Sequence, residues 1–305
     1  MGQRICVTGA SGQAGRAVAA DLREHGYDVV ATDAVVTRPD RQAGMLRADL
    51  TDYGQAVEAL RGTEAVVHLA NIPAPGLETP AVTFNSNITM NYNVFTAAAS
   101  LGLGRVVWAS SETTLGLPFD VPPRYAPADE DHYPLPTSSY ALSKVASETI
   151  AGHIARWSGI PFVALRFSNI MAPADYAGFP SFWGDARARR WNLWGYIDER
   201  DVAAACRLAL SAPAEAVADS PSFIIAAADT VMNRPSAELL AEVFPEVKLT
   251  HEVGEFGTLL AIDRARAALG FEPAHSWRDH IAANAPAGAA PAGDAPAGAA
   301  EPREP

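Results

Sequence analysis

The sequence predicts an α/β protein: a doubly wound parallel sheet with helices on both faces, followed by a small C-terminal lobe. Three observations carry this expectation. Short apolar runs alternate with amphipathic segments of helical spacing from residue 3 to about 170. A glycine-rich turn joins the first apolar run to the first helix-like segment. Beyond residue 170 the alternation loosens into sequence rich in aromatics and arginines.

The elements follow in order. RICVTG is a short apolar strand ending in glycine, and QAGRAVAADLREHG is a helix closed by Gly26. YDVVATD is a second strand and GMLRADL a short third one, followed by the helix DYGQAVEALRG. EAVVHLA is a fourth strand, and a long helix covers roughly 81–101. RVVWASS is a fifth strand, TSSYALSKVASETIAGHIARWSG a long helix and PFVALRFSN a sixth strand. Later, DVAAACRLALSA and SAELLAEVF have helical spacing, with the strand SFIIAA between them. The expected division is a sheet core over 1–170, rejoined by 196–226. A lobe is built from 171–195 and 227–281, and a disordered Ala/Pro/Gly tail covers 282–305. The tail repeats APAG and has no bulky apolar residue with which to offset the entropy of ordering.

With 305 residues, 49% of them apolar and 19% charged, the chain can bury a sizeable core. A net charge of −12 argues against broad binding to nucleic acid or to anionic membrane. No apolar run approaches the roughly 20 residues of a membrane span. MGQRICVTG enters a strand pattern without a signal-peptide layout, which makes the cytoplasm the expected compartment. Cys6 lies inside an apolar run and is expected as a buried free thiol. No zinc-ligand spacing is present, so no metal is expected.

TGASGQAG, Thr8 to Gly15, sits between a strand and a helix. Gly9 permits the tight turn, Gly12 lets backbone approach a pyrophosphate, and Gly15 lets helix pack against strand. Ser11 and Gln13 belong to the same turn, whose helix N-terminus offers free N–H groups to an anion. This is a Rossmann-type dinucleotide turn in its proper strand–turn–helix context. Asp33 closes the second strand, where an acid accepts hydrogen bonds from ribose hydroxyls and repels a 2′-phosphate. NAD is therefore expected over NADP, with Arg38 positioned to soften the preference. Asp49, in ADL, is either an adenine contact or a helix cap; Leu50 beside it and Leu69 after the fourth strand are expected to line the cofactor.

SSYALSK places Tyr140 four residues before Lys144, on one face of a helix. A tyrosine with a pKa of about 10 is a poor base at neutral pH, and a nearby ammonium favours its phenolate. Tyr140 is thus a candidate acid/base for a substrate hydroxyl, and Lys144 its partner and a holder of ribose.

Taken together, TGASGQAG, HLAN at 68–71, SNITMNYNVFTAA at 86–98, SSETTLG at 110–116 and YALSK resemble the extended short-chain dehydrogenases/reductases, in the NAD-dependent epimerase/dehydratase group. The resemblance covers about residues 3–212, with DRARAALGFEP at 263–273 as an echo. It implies that Asn87 sits near the nicotinamide end, that Ala70 and Asn71 line the cofactor, and that Ser111 orients the substrate hydroxyl. It also implies that helices 81–101 and 137–159 pair across a homodimer. His68 lies inside an apolar strand and is expected as a core residue.

Dehydratases of this group carry an Asp–Glu pair directly after the catalytic hydroxyl; here Ser111 is followed by Glu112 and Thr113, which argues against dehydration. The segment from Asn169 to Tyr196 is short for a nucleotide-sugar enzyme and similar in layout to uronate dehydrogenases. It lacks their carboxylate-holding arginine at DYAG, although Arg187, Arg189 and Arg190 lie further along. Glu112 would repel an anionic sugar and accept hydrogen bonds from hydroxyls. Glu112, Thr113, Asn169 and Trp183 are the candidate substrate contacts, Trp183 having a core position as its rival. Phe182, Trp191 and Trp194 are read as core and lid, and Asp198 and Asp201 as a turn and a helix cap. The expected function is NAD-dependent hydride transfer with a sugar-like hydroxyl substrate. The alternatives are a UDP-hexose 4-epimerase and an NAD(H)-sensing protein without turnover, which the Tyr–Lys pair disfavours.

Overall fold

The computed structural model describes residues 2–36, 44–132 and 134–284. Arg38 and residues 285–305 of the expected tail lie outside the described residues; its first three residues, 282–284, are helical instead. In chain order the elements are β1 (Arg4–Thr8), α1 (Gln13–Glu24), β2 (Asp28–Asp33), β3 (Leu46–Arg47), α2 (Tyr53–Leu60), β4 (Ala65–His68), α3 (Pro80–Leu101), β5 (Arg105–Ser111), α4 (Ser139–Ser158) and β6 (Phe162–Phe167). They continue as β7 (Ile170–Met171), β8 (Ile197–Asp198), α5 (Glu199–Ser211), β9 (Ser222–Ile225), α6 (Ser236–Val243), α7 (Asp263–Leu269) and α8 (Trp277–Asn284). Seven strands form one sheet in the order β3-β2-β1-β4-β5-β6-β9. Every pairing in it is parallel.

Alternation along β1 sets the two layers. Ile5 and Val7 face α1 and α5, where Val18, Leu22, Val202 and Cys206 complete one core. Cys6 faces the other way, among Leu60, Phe95, Val106, Trp108 and Phe162 under α2, α3 and α4. Both cysteines are buried free thiols, and burial pushes the Cys6 thiol up to about 12. The third strand is shorter than GMLRADL suggests: only Leu46 and Arg47 pair with β2, and Asp49 lies in the connection to α2.

The lobe is built mainly from short turns. Pro173–Phe182 and Arg190–Asn192 are 3₁₀ segments, and β7 pairs with β8 in a separate two-stranded sheet. Its core gathers Phe119, Tyr176, Phe179, Trp194, Tyr196, Leu259 and Trp277. After the first part of the lobe, α5 and β9 return the chain to the main sheet. Asp198 caps α5 by accepting from the Arg200 N–H at 2.8 Å. Asp201 departs from the turn-or-cap reading: it is buried and accepts from the backbone N–H groups of Ala274 and His275, tying α5 to the segment before α8.

β1 has β2 and β3 on one side and β4 on the other, so the strand order reverses there. Open α/β sheets bind ligands beyond the carboxyl ends of their strands at such a point.

Candidate active site

A cleft of about 810 Å³ opens at this switch point and runs from the β1–α1 turn to the end of β6. Of the residues singled out in the sequence, Gly9, Gly12, Gln13, Gly15, Asp33, Asp49, Leu50, Leu69, Ala70 and Asn71 line one end of it. Ser111, Glu112, Thr113, Tyr140, Lys144 and Asn169 line the other. Three do not reach it. The Ser11 N–H instead donates to Asp33 Oδ2 at 2.9 Å, so Ser11 holds the acid. Asn87 is fully buried and bonds both backbone groups of Ile72, which orders the loop after β4. Trp183 packs on Trp277 and donates to the Val231 carbonyl, a position in the lobe core. Trp191, from the same aromatic stretch, lines the cleft in its place.

The glycine turn fits a dinucleotide. Gly9 has φ +68°, and a Cβ on Gly15 would stand 2.0 Å from the Gly9 carbonyl oxygen. Gly12 caps α1 without any side-chain hydrogen bond, so the first N–H groups of the helix are left for an anion. Asp33 faces the cleft with its oxygens oriented by the Ser11 and Val35 N–H groups.

Lys144 is itself buried and is held in a network that runs inward from the cleft. Its Nζ donates to Asn71 Oδ1 at 2.9 Å and to the Ala109 carbonyl at 2.8 Å. Asn71 Nδ2 donates to Asn91 Oδ1 at 2.8 Å, and that oxygen lies 2.9 Å from His68 Nε2. An amide oxygen only accepts, so His68 carries its proton on Nε2 and its Nδ1 accepts from Thr8 Oγ1 at 2.7 Å. Burial pushes the imidazole down to about 3, so His68 is neutral and structural. Burial likewise brings Lys144 down to about 7, opposed by the field of Glu148. The ammonium that the sequence suggests is therefore poised to titrate at neutral pH in the free protein.

Tyr140 lies in the first turn of α4, capped by Ser138 accepting from the Ala141 N–H at 3.1 Å. Lys144 Nζ is 5.5 Å from the Tyr140 ring centroid. Ser111 Oγ accepts from the Thr113 N–H at 3.2 Å and from Thr113 Oγ1 at 3.0 Å. With its acceptor positions used, Ser111 has its hydrogen left to donate towards the cleft. Ser110 turns to α4 and donates to Glu148 Oε1 at 2.6 Å; that carboxylate is also bound by Arg166.

Glu112 is buried at the far end of the cleft. Its Oε2 accepts from Ser168 Oγ at 2.6 Å and its Oε1 from Asn192 Nδ2 at 3.1 Å. Asn169 presents Oδ1 to Arg189, accepting from Nη1 at 3.1 Å and Nη2 at 3.0 Å. Ser168 and Asn192 were missed in the sequence, where neither stands in a motif; Arg189 was named there only among three arginines that could stand in for a carboxylate-holding one, and it is turned to Asn169 instead. Asn91 did leave a signal: it lies one helical turn after Asn87, on the same buried face of α3. Among the described residues no group of three or more His, Cys, Asp or Glu side chains is placed to hold a metal.

Comparison with known proteins agrees with this geometry. A UDP-glucose 4-epimerase of Corynebacterium glutamicum is 28% identical over 173 residues, 55% of this chain and 51% of that protein. The match thus spans about half of the epimerase's length. An L-arabinose 1-dehydrogenase (NAD(P)(+)) of Haloferax volcanii is 31% identical over 177 residues, 55% of this chain and 67% of that protein. Among solved structures, a UDP-galactose 4-epimerase superposes with a TM-score of 0.68 at 27% identity, covering 92% of this chain and 96% of that one. A short-chain dehydrogenase/reductase superfamily protein from Agrobacterium tumefaciens, solved with bound NAD, shares the fold with a TM-score of 0.71 at 24% identity, covering 92% of this chain and 95% of that one. The model of the NAD dependent epimerase/dehydratase family matches residues 5–225, which takes in the glycine turn, Ser111, Tyr140 and Lys144, and the chain belongs to that family.

Proposed function

We propose that the protein is an NAD-dependent oxidoreductase that transfers hydride between a hydroxyl-bearing carbon of a sugar-like substrate and nicotinamide. The observation that carries this reading is the meeting of Ser111, Tyr140 and Lys144 in the cleft that begins at the glycine turn. The N-terminus of α1 and Gly9, Gly12 and Gly15 would hold the pyrophosphate, and Asp33 the adenosine ribose, which favours NAD over NADP. Asp49, Leu50, Leu69 and Ala70 would line the adenosine side, and Lys144 the second ribose. Bound NAD supplies the hydride acceptor. Ser111 donates to the oxygen of the reacting carbon and fixes its direction. Tyr140 takes the hydroxyl proton as the carbon is oxidised, and returns it in the reverse direction. Lys144, with two of its donors fixed on Asn71 and Ala109, keeps a third for ribose and supports the phenolate when it is charged. Glu112, Thr113, Asn169 and Trp191 form the substrate end.

Stoichiometric NADH from a sugar or polyol, followed by absorbance, is the expected result. Tyr140→Phe is expected to lower kcat by about 100- to 10,000-fold with NAD binding retained. Normal turnover by that variant would sink the mechanism.

A second reading is a UDP-hexose 4-epimerase, supported by the likeness to UDP-glucose and UDP-galactose 4-epimerases. It predicts interconversion of UDP-sugars with no net NADH. A protein that senses NAD(H) without turnover has no use for the buried Tyr–Lys arrangement. The reading also includes a homodimer through α3 and α4, which expose Val82, Tyr92, Leu142 and Trp157. Light scattering at micromolar concentration is expected to give twice the chain mass. No nucleic-acid or membrane partner is included; the charge of −12 supports that, as does the absence, among the described residues, of a helix long and apolar enough to cross a bilayer. The compartment proposed is the cytoplasm.

A further inference from the structure

The charges that line the cleft are unbalanced. Among the described residues they are the carboxyl groups of Asp33, Asp49, Glu78 and Glu112 and a single amine, that of Lys144. Asp33 and Asp49 lie at the end given to the adenosine, and Lys144 at the centre. The carboxyl group left beside Ser111 is that of Glu112, which accepts from Ser168 Oγ and Asn192 Nδ2. Its place is built by close packing: a Cβ on Gly195 would stand 3.0 Å from Ser168 Oγ, the group that donates to Glu112.

The guanidinium that balances Glu112 does not line the cleft. Arg189 lies behind it, its Cζ 5.2 Å from the Phe182 ring centroid and 4.9 Å from that of Trp191. Its Nη groups are used by Asn169 Oδ1 and the Gly195 carbonyl. Arg190, beside it, is 3.6 Å from Asp120. Arg189, buried and with both Nη groups taken, does not offer the two-pronged donor edge by which arginine grips a carboxylate or phosphate, and Arg190 does not line the cleft. Among the described residues that line the cleft, Lys144 at its centre is the one cation, and none stands beside Glu112 to offset an anionic substrate there. A neutral substrate would meet a set of hydroxyl-binding groups: Glu112 as acceptor, Ser111 as donor, and Thr113 and Asn169 alongside.

We infer that this cleft selects a sugar without an ionised group, a neutral aldose or polyol, and rejects uronates, sugar phosphates and nucleotide sugars through Glu112 and the withdrawal of Arg189. This rests on the dehydrogenase reading above. In the reaction the hydroxyl-bearing carbon loses hydride to NAD and the hydroxyl loses its proton to Tyr140, so one carbonyl, one NADH and one proton are formed.

The test uses the full chain with NAD and matched probes: glucose, galactose, xylose, arabinose and inositol; glucuronate and galacturonate; glucose 6-phosphate; and UDP-glucose. NADH is expected from at least one neutral probe. For that probe kcat/KM is expected to exceed the value for every anionic probe by at least about 100-fold, since like charges brought together in a closed site are strongly disfavoured. An anionic probe within tenfold of the best neutral one, or no NADH from any neutral probe, overturns the inference. A uronate within tenfold of the best neutral probe overturns it while leaving the dehydrogenase reading in place. Conversion of UDP-glucose to UDP-galactose without NADH overturns both. Glu112→Gln is expected to raise uronate turnover relative to the neutral probe by at least about tenfold. An unchanged ratio in a folded variant overturns the role of Glu112. Should that variant not fold, competition on the unmodified protein serves instead: glucuronate is expected to inhibit turnover of the neutral sugar only at concentrations at least about 100-fold above that sugar's KM, and inhibition near that KM overturns the repulsion.

Discussion

Lys144 and Arg189 are both buried cations, one at the centre of the cleft and one behind its far end, and they solve the same problem differently. Lys144 rests on two neutral carbonyl oxygens, with Glu148 as the acid whose field reaches it, and burial takes it down to about 7. Arg189 has neutral acceptors too, but it lies between aromatic rings and in the field of Glu112, and burial takes it down only to about 10. A compact ammonium responds to desolvation by giving up its proton, whereas a delocalised guanidinium stays charged. One charge is therefore switchable at neutral pH and the other fixed. The switchable one stands next to Tyr140, the proposed acid/base, and the fixed one behind the end of the cleft proposed for the substrate.

The largest test of this contrast is Arg189→Met. It leaves Glu112 buried without its counter-charge and is expected to cost about 3–5 kcal/mol in urea unfolding. Adding Glu112→Gln is expected to recover most of that loss. A single variant costing under about 1 kcal/mol would show the two charges to be uncoupled.

Lys144→Met is expected to behave in the opposite sense. The Lys144 pKa is lowered by folding, so between pH 7 and about 10 the unfolded chain binds a proton that the folded chain lacks, and stability rises with pH. Below pH 7 both states are protonated and the full penalty of the buried ammonium remains. Relative to Lys144→Met, the unmodified protein is thus expected to gain about 1 kcal/mol per pH unit above 7 and to be at its weakest below it. Parallel stability profiles for the two proteins would contradict the buried titration.

The smallest effect is that of Asn71→Ala. It removes one oxygen from the ammonium, costs about 1 kcal/mol, and moves the onset of the pH-dependent rise below 7. An onset that does not move would mean that the Ala109 carbonyl alone sets the lysine.

The same contrast explains what could be read from the sequence. Glycines at fixed offsets, Tyr140 and Lys144 one helical turn apart, and Ser111 at a strand end are local patterns, and local patterns are written along the chain. The partition of Ile5 and Val7 from Cys6 follows from strand alternation in the same way. The Arg189 arrangement joins residues from the connection after β6, the 3₁₀ turns of the lobe and the turn after β5, and no spacing announces it. The exchange of Trp183 for Trp191 has the same cause. Both lie in irregular backbone, where Leu193 and Trp194 take φ of 55° and 59°, and without a helical or strand period nothing in the sequence says which ring faces the cleft. Glu112 was legible as a neighbour of Ser111, whereas its hold on Ser168 and Asn192 was not.

Ser110 gives the arrangement its tolerance. By donating to Glu148, which Arg166 grips through Nε at 2.9 Å and Nη2 at 2.8 Å, it pins α4 to β5 and β6 at one point. The helix that carries Tyr140 and the strand that carries Ser111 are thereby aligned by a fastening outside the reacting groups. Misalignment of about 1 Å can cost a hundredfold in rate. A lesion at this fastening would thus act as a timing fault in a mechanism whose parts are all present: slower turnover, with every group that touches substrate still in place.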